Sequence, residues 1–114
     1  MEIIKTSKAL TAQETYFLTM APSVQKMKDA VSQEIELVAW CVYRDVNSKK
    51  EEQTILSILT PENEVFATNS PTFIDDFQKM HDLFLDCGET VKKIKVISGV
   101  SKSDREFITC VYVS

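Results

Sequence analysis

One amphipathic helix, set inside a stretch that otherwise favours strands, is the feature that most constrains the fold of this chain. Ser70 can cap the helix through its side chain, and Pro71 suits the first helical position. Gly88 stands just past Cys87, where a helix end favours a left-handed residue. The pattern predicts a helix from Pro71 to about Cys87. Apolar side chains recur along it at helical spacing: Phe73, Phe77, Met80 and Phe84.

Runs rich in β-branched and aromatic residues lie on both sides of this helix. Polar or proline-containing turns separate these runs, as is usual between neighbouring strands. The first run is long and apolar on both faces, as expected for a strand that bends and lines a small barrel. The sequence predicts three strands before the helix and two after it: Ile35 to Val46, Gln53 to Thr60, Glu64 to Thr68, Val91 to Ser98 and Glu106 to Val113.

The order of three strands, a helix and two strands is that of the five-stranded OB barrel, with the helix between strands three and four. We therefore predict an all-β protein with helices (α+β), built on an OB-type β-barrel over residues 34–114. A two-layer α+β sheet with similar connections is the alternative. At 114 residues the chain has room for one hydrophobic core and is expected to form a single domain.

Residues 1–33 are predicted to form a helical extension to this barrel. Thr11 and Glu14 have the spacing of a capping box, in which each side chain binds the other residue's free backbone amide. Further along, the apolar residues Val24, Met27 and Val31 would lie on one helical face. The segment is therefore expected to contain one or two short helices.

The sequence lacks the residue constellations that enzymes use. Its one histidine, His81, lies in the middle of the predicted helix, and no nucleophile elbow, phosphate-binding glycine loop or zinc-protease motif occurs. Asp75 and Asp76 suit the positive end of the helix dipole, so they need no metal. We predict a non-enzymatic protein without metal or cofactor. The cysteines are too far apart for a zinc site and are expected to be buried, reduced thiols: Cys41, Cys87 and Cys110.

Hydropathy gives no sign of a membrane segment or a leader. No stretch approaches the roughly 18 consecutive apolar residues that a membrane helix needs. The first ten residues, MEIIKTSKAL, have no apolar run behind their lysines, unlike a signal peptide. We expect no membrane partner and a location in the cytoplasm.

Charge is segregated along the chain. The formal net charge of −4 would disfavour a nucleic-acid binder, because phosphate attraction needs a basic surface. Residues 51–91 hold nine acids and one lysine, whereas residues 92–105 hold five basic residues and one acid. The second segment therefore favours binding of an anion despite the acidic total.

Single-strand binding needs aromatic faces on which bases stack and positive side chains along the phosphates. Phe66 shares a strand face with the polar Glu64 and Thr68, which favours an exposed ring; partial burial under the N-terminal segment is the alternative. Trp40 and Tyr43 lie on opposite faces of the first strand, so at most one of them can point into a groove, and core packing is the alternative for either. Phe107 and Tyr112 are likewise on opposite faces of the last strand, and one of them is expected in the core. The aromatic candidates are Trp40, Tyr43, Phe66 and Phe107.

The basic candidates come from three places that an OB barrel would bring around one cleft. A solvated lysine face, common on any surface strand, is the alternative interpretation. The first loop contributes Lys49 and Lys50, one face of strand four contributes Lys93 and Lys95, and the last loop contributes Lys102 and Arg105.

Three stretches resemble a known family: ISGVSKSDREFITCVYV, ILSILTPENEVFATNSPTFIDDF and LTAQETYFLTMAPSVQKM. The first resembles the strand–loop–strand end of small OB-fold single-stranded-DNA-binding proteins. The other two look like such proteins from phages and mobile elements of Gram-positive bacteria. The resemblance implies a protein that coats single strands during replication or recombination in a bacterial host cell. It implicates Lys102 and Arg105 in the last loop, with Phe107 at its exit, although Asp104 and Asn63 stand where such loops often have glycine.

We therefore predict non-sequence-specific binding of single-stranded DNA. RNA as a ligand, self-association, and contacts with replication or recombination proteins are left open by the sequence. The alternative is a protein-interaction module or phage inhibitor that uses the same barrel. Its basis is the acidic segment 51–91, because an acidic surface can imitate nucleic acid towards a basic partner.

Overall fold

A computed structural model describes residues 1–114 as an α+β protein with eight strands and two helices. A short 3₁₀ turn, Met27–Ala30, adds to these elements. The helices are α1 (Ala12–Thr19) and α2 (Pro71–Asp86). The strands are β1 (Glu2–Thr6), β2 (Val24–Lys26), β3 (Glu34–Glu36), β4 (Ala39–Val46), β5 (Glu52–Leu59), β6 (Val65–Thr68), β7 (Lys93–Val100) and β8 (Glu106–Tyr112).

The strands form two separate sheets. One has five strands in the order β1-β4-β5-β6-β2, and the other has three in the order β3-β7-β8. The predicted α+β class is confirmed, and each strand expected after residue 34 is present, although the first of them is divided into β3 and β4. The OB barrel is not confirmed, since no strand pair joins the two sheets into a closed barrel.

The long first strand of the prediction belongs to both sheets. Its first part, β3, pairs with β7, and its second part, β4, pairs with β5. Between them the amide of Leu37 donates to the carbonyl of Lys92, and that of Val38 donates to Leu59. The expected bend is therefore present, and it is the place where one backbone leaves one sheet and enters the other.

Helix α2 forms where the sequence predicts it and for the predicted reasons. The Ser70 hydroxyl accepts a hydrogen bond from the amide of Phe73, and Pro71 occupies the first turn. Gly88 follows the C-cap Cys87 with a φ of 76°, which glycine adopts without steric cost. The helix buries Phe73, Ile74, Phe77 and His81.

The five-stranded sheet is covered on both faces. One face belongs to the main core, fifteen buried residues contributed by both sheets, α2, the 3₁₀ turn and Val91. Its largest members are Trp40, Phe66, Phe73 and Phe77. The other face belongs to a minor core in which α1 lies against the sheet. The minor core consists of Leu18, Ala39, Cys41, Tyr43, Leu59 and Val65.

The helical extension expected over residues 1–33 is only partly correct. The capping box of Thr11 and Glu14 is present and begins α1. On either side of α1, however, β1 pairs with β4 and β2 pairs in parallel with β6. Val24 lies in β2 and Met27 in the 3₁₀ turn, so they do not share a helix face. Pairing with distant strands and burial of Met27 in the main core override the local helical spacing.

The three hairpin turns, residues 47–51, 60–64 and 101–105, have the same geometry. In each, the side-chain oxygen of the first residue accepts a hydrogen bond from the amide of the fifth. The fourth residue is left-handed, a conformation that asparagine and aspartate adopt more readily than most residues. The fourth residues are Lys50 (φ 61°), Asn63 (φ 62°) and Asp104 (φ 59°).

Candidate nucleic-acid interface

Three of the four aromatic candidates are buried. Trp40 packs edge-on against Phe77, with ring centroids 5.1 Å apart, and Tyr43 belongs to the minor core. The expected exposure of Phe66 is wrong, because its ring is 6% exposed in the main core. Its polar neighbour Glu64 lies in the turn before β6, so it marks the end of the strand and not a solvent-facing side. None of these rings offers a face to a base.

The outer face of β5 and β6, where an OB barrel would present its ligand, is closed by α1. Leu18 is fully buried against this face, and Phe17 and Leu10 pack beside it. Ser57, in the middle of β5, is fully buried with its hydroxyl unpaired. The N-terminal segment thus covers the surface on which a single strand would be expected.

The outer face of β7 and β8 carries the remaining strand candidates. Successive side chains alternate between the faces of a sheet. Ile94, Val96 and Cys110 enter the main core, so Lys93, Lys95 and Phe107 project from the other side. All three are half-buried. The structure therefore brings three predicted residues onto one sheet face, and Lys102 and Arg105 lie in the turn at its end.

The Phe107 ring lies across Gly99 on the neighbouring strand. The two residues are opposite each other, and a Cβ on Gly99 would come within 2.6 Å of the Phe107 ring. Any larger residue at position 99 would therefore displace the ring from this position. The ring is held by the sheet while part of its surface stays accessible.

Acidic residues on β3 face the lysines of β7. Glu36 is opposite Lys93, and Glu34 is opposite Lys95. The Lys93 ammonium lies 3.7 Å from a Glu34 carboxylate oxygen. The positive charge on this face is thus partly balanced, which lowers its expected attraction for phosphate.

The loop candidates are exposed and form no salt bridge. Lys102 and Arg105 flank Asp104, and Glu106 follows them. The other pair, Lys49 and Lys50, lies on the β4–β5 turn of the five-stranded sheet.

The sequence interpretation missed a second surface, which we call the bend groove. It is a groove of about 800 Å³ where the chain passes between the sheets at Leu37 and Val38. Its aromatic lining includes Phe84 and Tyr112, whose ring centroids are 4.6 Å apart. Helical spacing assigned Phe84 to the core, and it is only partly buried there. Other lining residues are Lys8, Trp40, His81, Lys92 and Lys93.

Two further sequence expectations concern the acidic residues of α2 and the histidine. Asp75 pairs with Lys79 at 3.0 Å, and Asp76 accepts a hydrogen bond from Thr109, so partners on the protein account for them better than the helix dipole. His81 is buried beside Trp40, with ring centroids 4.8 Å apart. Burial, with Lys5 nearby, lowers the pKa of His81 and favours its neutral form.

The cysteines do not share one environment, contrary to expectation. Cys41 and Cys110 are buried, whereas Cys87 is exposed at the end of α2. Burial raises the pKa of the Cys41 thiol to about 11. Burial, together with the nearby Asp76, raises that of Cys110 to about 12. Both thiols are therefore protonated and unreactive at neutral pH.

We expect a thiol reagent to modify Cys87 alone in the native protein. Cys41 lies under α1 and Cys110 in the main core, so both should react only after unfolding. Titration with Ellman's reagent, before and after adding guanidinium chloride, measures this difference. A Cys87→Ser variant should show no rapidly reacting thiol, and rapid modification of either remaining cysteine would contradict the placement of α1 or of β8.

No helix in the structure has the length and hydrophobicity needed to cross a membrane. Comparison with protein-family models, with curated proteins and with solved structures finds no match to this chain.

Proposed function

We propose that the protein binds single-stranded DNA along the hairpin face, which consists of Lys93, Lys95, Lys102, Arg105 and Phe107. The observation that carries the proposal is the half-buried Phe107 ring, packed against Gly99 on the sheet face that also carries Lys93 and Lys95. Stacking of one base on such a ring contributes about 1–3 kcal/mol and tolerates any base. The ligand would therefore be recognised without sequence specificity.

The dimensions of the hairpin suit a short length of single strand. Lys93 and Gly99 are separated by six residues of β7, roughly 20 Å at about 3.3 Å per residue. Phe107 lies opposite Gly99, and the turn with Lys102 and Arg105 follows beyond it. A strand lying along β7 would meet Lys93, Lys95 and then Ile97 before the ring, and the two cations of the turn after it.

We also propose that residues 34–114 form a partly open barrel of the OB type. The order of strands around α2 supports this, as does the strand that is shared between the two sheets. In this interpretation β2 occupies the free edge of β6. The resemblance to phage single-strand binders supports a role in coating strands during replication or recombination.

The acidic residues beside the hairpin face limit how strongly the affinity for a single strand should depend on salt. With Glu34 close to Lys93, and with Asp104 and Glu106 beside Arg105, few cations are free to replace counterions on the strand. Each phosphate neutralised on a single strand contributes about 0.7 to the slope of log affinity against log salt. Three contacts, from Lys95, Lys102 and Arg105, would give a slope of about −2.

Fluorescence anisotropy of a labelled oligo-dT over a salt series tests the proposal. We expect binding at low salt. For the double variant Lys102→Ala/Arg105→Ala, the slope of log affinity against log salt should be less steep by about 1.4. The matched control is Lys26→Ala/Lys28→Ala, which removes two exposed lysines from the other sheet and its 3₁₀ turn. Duplex DNA and oligo-U serve as further ligands. The proposal is wrong if micromolar protein does not bind oligo-dT at low salt, or if both double variants behave alike.

A further inference from the structure

The bend groove combines an exposed aromatic ring with an unpaired lysine. Tyr112 is 47% exposed and stands against Phe84, which fixes its orientation. Lys92 is exposed and takes part in no salt bridge. An accessible ring with a free ammonium beside it is the pair of groups that a nucleotide needs, one for its base and one for its phosphate.

The groove and the hairpin face lie on opposite sides of the small sheet and meet at Lys93, because Tyr112 is opposite Ile94, which enters the main core. Lys93 lines the groove, and it also begins the row of side chains that continues through Lys95 to Phe107. Lys92 precedes it in the same groove. A strand that follows the hairpin face towards Lys93 would therefore reach the mouth of the groove.

The floor and size of the groove suit a planar ligand. Trp40 and His81 are buried but border the groove, and Leu37, Val38 and Val91 add apolar surface. The volume of about 800 Å³ falls within the range of small-molecule sites, roughly 300–1,000 Å³. Glu36 and Glu89 also line it, and their carboxylates can accept hydrogen bonds from the N–H groups of a base, the ring N–H of thymine included.

We propose that the bend groove binds one nucleotide of the strand that lies on the hairpin face, with its base stacked on Tyr112 and its phosphate beside Lys92. This inference rests on the proposed function, and it adds a second stacking position, at the base of the β7–β8 hairpin.

Trp40 makes the two surfaces separable by experiment. It is the single tryptophan of the chain and lines the groove, whereas Lys93 is the only residue of the hairpin face that does so. Tryptophan emission therefore reports on the groove, and anisotropy of a labelled oligo-dT reports on binding anywhere. We expect the oligonucleotide to raise anisotropy and to change Trp40 emission over the same concentrations.

Variants of Tyr112 test the stacking position. Tyr112→Ala should weaken oligo-dT binding by about fivefold to about 150-fold, the contribution of one stacked base, and should abolish the emission change. Tyr112→Phe keeps the ring and should retain both signals. Tyr16→Ala removes a tyrosine of similar exposure, 49%, from α1 and should alter neither.

Photocrosslinking with an oligonucleotide that contains 5-iodouracil gives an independent result. A crosslink at Tyr112 or Phe84 supports the proposal. Binding by anisotropy with crosslinks confined to the hairpin face, and with unchanged Trp40 emission, overturns the groove and leaves the proposed function intact. Absence of binding in both measurements overturns the two together.

Discussion

Replacing Phe77 with alanine is expected to lower the free energy of unfolding by about 3–5 kcal/mol, the usual cost of removing a buried phenylalanine. The side chain is 0% exposed and meets Trp40 edge-on in the main core. Truncation would remove that contact and leave a cavity between α2 and the sheets, which close packing prevents from collapsing fully. Domains of this size are stable by only about 5–15 kcal/mol, so much of the total would be lost.

Urea denaturation followed by Trp40 fluorescence measures this effect as a shift of the midpoint. The matched control is Leu83→Ala on the same helix, where the side chain is 62% exposed and the helix propensities of leucine and alanine are close. We expect that control to change stability by no more than about 0.5 kcal/mol. Equal midpoints for the two variants would mean that α2 does not pack on the sheets through Phe77.

Phe107→Ala is expected to weaken binding of oligo-dT by about fivefold to 150-fold, equivalent to about 1–3 kcal/mol for one stacked base. The ring is the only aromatic group on the hairpin face, and it packs against Gly99 on the neighbouring strand. Removing the ring removes the stacking surface while the cations of the face remain. The salt slope should therefore stay close to that of the unmodified protein, and affinity should fall at every salt concentration.

Phe107→Leu separates stacking from packing. Leucine keeps an apolar side chain over Gly99 but has no aromatic face, so it should bind almost as weakly as the alanine variant while remaining more stable. Anisotropy and thermal unfolding of both variants provide the two measurements. If Phe107→Leu bound like the unmodified protein, or if Phe107→Ala lost no affinity, the ring would not be a stacking platform.

The parts of the fold that the sequence predicted correctly are those with local causes. Ser70, Pro71 and Gly88 act within a few residues of themselves, so they placed α2 without knowledge of the rest of the chain. The same holds for the turn at Asn63. By contrast, β1 and β2 are short and owe their form to pairing with β4 and β6, which lie far away in sequence. No local pattern distinguishes such segments from irregular chain.

The candidate site was predictable to a similar extent. Alternation along β7 correctly placed Lys93 and Lys95 on one face, because Ile94 and Val96 had to enter the core. Phe66 was misplaced because alternation assumes one covered face, and here α1 and α2 cover opposite faces of the same sheet. Tyr112 was overlooked since its exposure depends on the groove at the bend, which arises only when β4, α2 and β8 meet.

The strand that runs from β3 into β4 has a consequence for how the molecule loses its structure. Because one uninterrupted backbone is hydrogen-bonded into each sheet, loss of strand pairing in one sheet directly disturbs the pairing of the other. The two sheets are therefore expected to melt together as one cooperative transition. A bound strand that distorts the small sheet would then also strain the five-stranded sheet through this shared backbone.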